Sequence, residues 1–234
     1  MTRPDHQLRD NLAAVRERIG AACAAAGRHP REVTLVAVTK TWPAADVRRL
    51  AELGVADVGE NRDQEARAKH AECADLALTW HFVGHLQRNK CGSVAGYADV
   101  VHSVDRLELV DALSRAAVAA GRQLTGLVQV SLEDGPAAGR SGAAPAAVGD
   151  LAAALEAAPA LTLGGVMAVA PLGADPEPAF ARLAEVAAEI RAVHPAATVV
   201  SAGMTGDLEA AVRHGATHVR IGTALLGHRA ASIG

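Results

Sequence analysis

Aromatic side chains are nearly absent: Phe, Trp and Tyr together make up 2% of a chain that is 50% apolar. Ala, Val and Leu must therefore fill the core, and few flat platforms are left on which nucleic-acid bases could stack. No basic run occurs and the formal net charge is -3, which argues against general nucleic-acid binding. The three cysteines, Cys23, Cys73 and Cys91, lack C-x-x-C spacing and are odd in number. That usage fits a reducing cytosol better than a disulfide scaffold, and it offers no metal site. No stretch approaches the ~20 uninterrupted apolar residues of a membrane helix, and the opening M-T-R-P-D-H-Q-L-R-D lacks an apolar signal core. A cytoplasmic protein is expected, with no membrane, nucleic acid or metal among its partners.

What is present is organised around Val33 to Lys40, V-T-L-V-A-V-T-K. An apolar run whose first charge is its last residue describes a strand buried on both faces, as in a parallel sheet. Alternation puts Thr34, Val36, Val38 and Lys40 on one side, and Val33, Leu35, Ala37 and Thr39 on the other. Lys40 is then one of two things. It is a solvated lysine leaving the sheet, or an amine held partly out of water at the carboxyl end of a barrel strand, placed to act as a Schiff-base nucleophile.

The order of apolar strand, polar tip, helix and glycine repeats along the chain. Leu8, Leu12, Val15 and Ile19 predict an amphipathic helix over about 5–27 that ends near Gly27. Strands are expected at 33–40, 55–61, 79–84, 99–104, 126–131, 163–170, 198–201 and 217–222. Helices are expected from Trp42-Pro43 to Gly54 and at 62–78, 85–95, 105–120, 146–158, 175–194, 205–214 and 224–229. Asp105 reads as an N-cap with Glu108 completing a capping box. The stretch 132–145 is the most loop-like. Eight strands separated by helices close most naturally as a (β/α)8 TIM barrel over 33–229, with the extra N-terminal helix, in one domain spanning 1–234. An open doubly wound sheet is the alternative, weakened because no G-x-G-x-x-G follows the first strand.

In a barrel the strand tips share one rim, where barrel enzymes place their sites. Reading the tips gives Lys40, Glu60-Asn61, His81, Ser103, Ser131, Ser201 to Thr205, and Arg220 to Thr223. Ser201-Ala202-Gly203-Met204-Thr205 before a helix, with Gly222-Thr223 after the last strand, offers small residues, hydroxyls and backbone N–H groups to an anion. Loops after strands seven and eight are the usual phosphate site of such barrels. Either segment alone is ordinary turn and capping chemistry; together they favour phosphate. In T-H-V-R-I-G, Val219 and Ile221 share one face and His218 and Arg220 the opposite one; if the first face meets the helices, Arg220 points into the barrel, where it needs an acceptor. A structural ion pair would satisfy it, as would an aromatic nitrogen of a bound cofactor. His81 is either a hydrogen-bonded core histidine or a residue packed on a flat ring.

These tips carry a resemblance. T-L-V-A-V-T-K (34–40), G-E-N (59–61) with Gln64-Glu65, W-H-F-V-G-H-L-Q-R-N-K (80–90), S-A-G-M-T-G-D-L-E-A-A (201–211) and V-R-I-G-T-A-L-L-G (219–227) resemble the pyridoxal phosphate homeostasis protein family. These are single-domain relatives of the alanine racemase barrel, and the resemblance runs from about Leu12 to Arg229. It implies a fold-type-III pyridoxal 5'-phosphate barrel in which Lys40 forms the internal aldimine. By the same pattern Ser201, Gly203, Gly222 and Thr223 hold the phosphate in the segment shared with Met204 and Thr205. Arg220 approaches the pyridine nitrogen, and Asn61 and His81 line the ring. Members resemble carriers that buffer the cofactor, with cofactor-dependent apo-enzymes as recipients. The chain departs from the pattern at Ser131, where Asn is expected, at Gly139-Arg140-Ser141-Gly142, where a lysine-rich segment is common, and at Arg62-Asp63.

An arginine facing the pyridine nitrogen does not readily give up a proton, so the ring becomes a weaker electron sink. A racemase also needs a second base opposite the lysine. In the racemases a tyrosine from an additional domain fills that role, whereas the one tyrosine here, Tyr97, is expected in a loop before the fourth strand. A carrier is therefore the first reading. The alternatives are a pyridoxal-phosphate-dependent amino-acid enzyme of weak racemase type, and a barrel whose Lys40 forms an aldolase-type Schiff base with a sugar phosphate. Closure of the barrel within one chain makes a monomer the expected state.

Overall fold

The computed structural model describes residues 5–133 and 142–227. Eight parallel strands close a barrel in chain order: β1 (Thr34–Val38), β2 (Asp57–Glu60), β3 (Thr79–Phe82), β4 (Val100–Val104), β5 (Leu124–Gln129), β6 (Leu161–Met167), β7 (Val199–Ser201) and β8 (His218–Ile221). The pairing of β8 back onto β1, with Val36 beside Arg220, excludes the open doubly wound sheet. Around the barrel run α2 (Ala44–Glu52), α3 (Asp63–Glu72), α4 (Cys91–Ala95), α5 (Leu107–Ala120), α6 (Val148–Ala157), α7 (Pro176–Val193) and α8 (Leu208–Arg213). The helix α1 (Asp5–Ala25) precedes β1, and α9 (Thr223–Leu226) follows β8.

The apolar stripe of α1 behaves as its spacing predicts. Leu8, Leu12, Val15 and Ile19 are buried against Leu208, Val212, Leu225 and Leu226 of α8 and α9. Each such side chain contributes roughly 1.5–3 kcal/mol relative to exposure. Polar contacts add direction: Asn11 Nδ2 donates to the Leu225 carbonyl at 2.8 Å, and Arg18 Nη2 to the Thr205 carbonyl at 3.0 Å. The extra helix therefore straps the connections that follow β7 and β8. Small side chains such as Ala95, Ala117 and Ala152 are fully buried beside Leu109, Leu155 and Phe180, so the helices fill their core with aliphatic groups and very few rings.

Several boundaries differ from expectation for identifiable reasons. β1 stops at Val38: Thr39 N still bonds to the Gly59 carbonyl, but the chain then turns through Thr41 at φ 67°. α3 ends at Glu72 rather than near 78. Leu76 and Leu78 both pack on Ala44, Val47 and Trp80, and residues two apart on a helix do not share a face. Asp105 does not cap α5; it pairs with the Arg106 side chain, and Arg106 occupies the N-cap position without a side-chain cap. The span 85–95 is an extended entry, a 3-10 turn (Arg88–Lys90) and α4. The helix expected to start at Thr205 starts at Leu208, because Asp207 Oδ1 turns back to accept from Met204 N at 2.6 Å. Of the loop-like stretch 132–145, residues 134–141 lie outside the described residues, as do 228 and 229 of the last expected helix. No helix among the described residues is long and apolar enough to cross a membrane.

Candidate functional site

The carboxyl ends of β1, β2, β3, β6, β7 and β8 surround a cavity of about 570 Å3. Lys40 and Trp42 stand on one side, Met204, Thr205, Gly206, Gly222 and Thr223 on another, with Asn61, Gly84 and Arg220 between them. Lys40 is exposed, so the protein alone does not hold it partly out of water; only a ligand laid over it would. Among the described residues no backbone hydrogen bond engages the amides of Thr205, Gly206 or Thr223. Two glycines allow close approach of neighbouring chain around the mouth. A Cβ on Gly84 would sit 2.2 Å from the Asn61 carbonyl oxygen, and one on Gly203, at φ +90°, would sit 2.7 Å from Ala211 Cβ.

Beneath Lys40 lies a buried ionic clamp. Lys69 Nζ on α3 donates to Glu60 Oε1 at 2.6 Å and to the Thr39 carbonyl at 2.7 Å, while Thr39 Oγ1 donates to the same Glu60 oxygen at 2.5 Å. Burial pushes the Glu60 carboxyl above its ordinary range, and Lys69 and the Thr39 hydroxyl offset part of that. Thr41 N donates to Glu65 Oε2 at 2.9 Å. That contact holds a β-branched residue in left-handed backbone, a conformation costing on the order of 1–3 kcal/mol. The lysine-bearing turn is thus fixed from both sides by carboxylates of β2 and α3.

Inside the barrel the side chains are polar. Arg220 is buried; Nη1 donates to Ser201 Oγ at 2.7 Å and Nη2 to the Ala168 carbonyl at 2.9 Å. A hydroxyl and a carbonyl take two of its donors, no ion pair to it forms among the described residues, and burial lowers its pKa to about 10. Ser201 Oγ lies 3.0 Å from His102 Nδ1, His102 Nε2 lies 2.8 Å from His81 Nδ1, and His81 Nε2 lies 3.0 Å from Asp57 Oδ1. The donor order follows from the ends. Asp57 only accepts, so with one proton on each imidazole His81 donates from Nε2 and the Ser201 proton goes to His102. Burial holds His102 neutral, with its pKa well below the usual value, so its single ring proton sits on Nε2 and points to His81. His81 then donates to Asp57. Beside them His218, 6.2 Å from His81 between ring centroids, is lowered by burial to about 4. Buried bases kept neutral withdraw their support of the fold as pH falls through their native pKa.

This chain predicts a distant effect. Asp57 opens β2 and lines a separate cavity with Pro30 and Val33 at the opposite end of the barrel. Asp57→Ala should let the His81 and His102 rings redistribute tautomers, visible as altered imidazole 15N shifts. Unchanged His102 resonances would contradict the assigned order.

With the geometry in place, comparison with known proteins is informative. Residues 7–230 match the family model for the alanine racemase N-terminal domain. The pyridoxal phosphate homeostasis protein of Mycobacterium tuberculosis is 46% identical over 242 residues, covering 96% of this chain and 94% of that one. The chain belongs to the pyridoxal phosphate homeostasis protein family. The Pseudomonas aeruginosa protein of the same name is 44% identical over 231 residues, covering 95% of this chain and 96% of its own. Among solved structures, PipY of Synechococcus elongatus with pyridoxal phosphate bound superposes with a TM-score of 0.82 at 36% identity, covering 94% of this chain and all of that one.

In this member of the family, Lys40, Asn61, Met204, Thr205, Arg220, Gly222 and Thr223 converge on the mouth cavity. Gly203 supports it from behind. His81 and Ser201 do not line it. His81 is the hydrogen-bonded core histidine of the two readings, and Ser201 has its proton directed at His102. Tyr97 is buried, does not line the cavity, and is pushed further above its usual pKa by burial. Sequence reasoning did not single out Lys69, His102 or Asp57. Lys69 reads as one more charge on a polar helix, and the other two acquire meaning only through strand register.

Proposed function

We propose that this protein binds pyridoxal 5'-phosphate at the barrel mouth and acts as its carrier and buffer, with Lys40 as the covalent anchor. The observation that carries the reading is the mouth cavity itself. It places one exposed amine, one buried guanidinium and the open amides of Thr205, Gly206 and Thr223 around a space of about 570 Å3. The residues fit the group. Asn61 Oδ1 is buried without a hydrogen-bond partner, and Gly222 lets the Thr223 turn pass close to β1, where a Cβ would press to 3.2 Å on the Val38 carbonyl.

When bound, the cofactor supplies an aldehyde that condenses with the Lys40 amine with loss of one water. The chain's own groups do the rest. Thr205 and Thr223 offer hydroxyls and amides to the phosphate, Asn61 offers its amide to the ring, and Arg220, held by Ser201 and Ala168, presents a donor to the ring nitrogen. Lys40 and Arg220 are the only titratable side chains among the described residues lining the cavity. A lining without a second base supports carriage over turnover, and delivery to cofactor-dependent apo-enzymes from a cytoplasmic monomer completes the proposal.

Borohydride treatment of the purified, cofactor-loaded protein tests it. The absorbance should bleach and the mass label should fall on Lys40, while an α-proton exchange assay over L- and D-amino acids should show no brisk exchange. Label on another lysine, or fast exchange that depends on Lys40, would overturn the reading. Thr205→Ala and Thr223→Ala should each weaken retention by about 1 kcal/mol, roughly fivefold, in equilibrium dialysis. Unaltered affinity in both would place the phosphate elsewhere.

A further inference from the structure

A second depression on the same rim, of about 800 Å3, lies open to solvent beside the one at Lys40. Its walls include Gln87, Arg88, Asn89 and Cys91 from the β3–β4 connection, Arg106 after β4, and Arg115 on α5. Three arginines therefore line one open depression. Arg106 is committed, through Nη1 to Asp105 and through Nη2 to the Leu86 carbonyl at 3.1 Å. Arg88 and Arg115 are exposed and have no hydrogen-bond or ion-pair partner among the described residues. The side-chain amides of Gln87 and Asn89 add neutral donors. Cys91 is buried, which pushes its thiol up, so the cavity offers charge and donors but no activated nucleophile.

Its position gives a second argument. Gln87 also lines an intermediate cavity of about 600 Å3, and that cavity's wall includes Asn61, which lines the Lys40 cavity as well. The three concavities adjoin along the rim through Asn61 and Gln87, and the far one is the most basic.

We propose that Arg88 and Arg115, supported by Arg106, form a second site for a phosphate monoester. Guanidinium forks match phosphate oxygens in pairs, and two uncompensated positive charges suit a group that carries nearly two negative ones. The shared chemistry is the phosphomonoester dianion, whether it arrives on pyridoxal phosphate moving to or from Lys40 or on another phosphorylated metabolite. Only the first of these sources rests on the function proposed above.

The test is titration of the 15N-labelled full chain with inorganic phosphate at constant ionic strength, balanced with chloride. Saturable shifts are expected at the Asn89 and Gly92 amides, and Arg88→Gln/Arg115→Gln should weaken them by about tenfold or more. The Thr205 and Gly206 amides report the Lys40 cavity separately and should respond alike in both proteins. Failure there alone counts against the proposed function and leaves the second site standing. Shifts at Asn89 and Gly92 that do not saturate, that chloride reproduces, or that the double variant leaves unchanged would overturn the second site. Competition by pyridoxal phosphate but not by pyridoxal assigns the cofactor as the source. Competition by glucose 6-phosphate alone assigns another metabolite.

Discussion

Lys40→Ala is expected to purify without the cofactor's absorbance and to retain none after dialysis, while melting within a degree or two of cofactor-free wild type. The two halves of that expectation have separate causes. Lys40 is exposed, so its truncation should move stability by no more than about 0.5 kcal/mol, as at other surface positions. Retention is different, since loss of the one amine at the cavity removes the covalent link and leaves only hydrogen bonds and charge to hold a small molecule. Lys40→Arg separates these further. It keeps the positive charge without a nucleophilic amine, and should bind weakly and reversibly with no borohydride-fixable fraction. An alanine variant that keeps its colour would locate the link at a different residue.

Lys69→Met should be the most destabilising of the substitutions considered, by about 3–5 kcal/mol in urea denaturation, because it strands a buried carboxylate. Glu60 is fully buried, and with Lys69 gone its charge would have only the Thr39 hydroxyl beside it. The pH dependence has a definite sign. A carboxyl whose native pKa is raised supports the fold below its unfolded pKa and loses that support as pH rises through the native value. Burial already raises Glu60, and removing Lys69 takes away the largest opposing influence. The deficit of Lys69→Met should therefore shrink toward pH 5 and grow toward pH 8. Glu60→Gln/Lys69→Met should recover a substantial part of the loss. A deficit that is flat across that range, or that the second substitution does not relieve, would mean the pair is not what holds the Thr39 backbone.

The architecture was readable because its signals are local. Apolar runs ending in polar tips mark strands of a parallel barrel, and the alternation of Val219, Arg220 and Ile221 already directs the arginine inward. The motifs at 34–40, 201–211 and 219–227 likewise identify most of the mouth. What escaped depends on contacts between elements distant in sequence. The clamp needs the Glu60 side chain on the helix side of β2 and Lys69 one helix later. The histidine chain needs the β3–β4 register, in which His81 pairs with Val100 and so stands beside His102. The resemblance and the small-residue segment 201–205 put Ser201 on the phosphate, whereas its hydroxyl lies between Arg220 and His102 and outside the lining of the mouth. Helix starts were missed where a side chain such as Asp207 folds back on the chain before the helix begins.

A file of side chains from Arg220 down to Asp57 links the two openings of the barrel through contacts of 2.7, 3.0, 2.8 and 3.0 Å. The lower end of that string surfaces at Asp57, whose side chain is 24% exposed. Filling the mouth is thus expected to shift the imidazole signals of His102 and His81, neither of which lines the cavity.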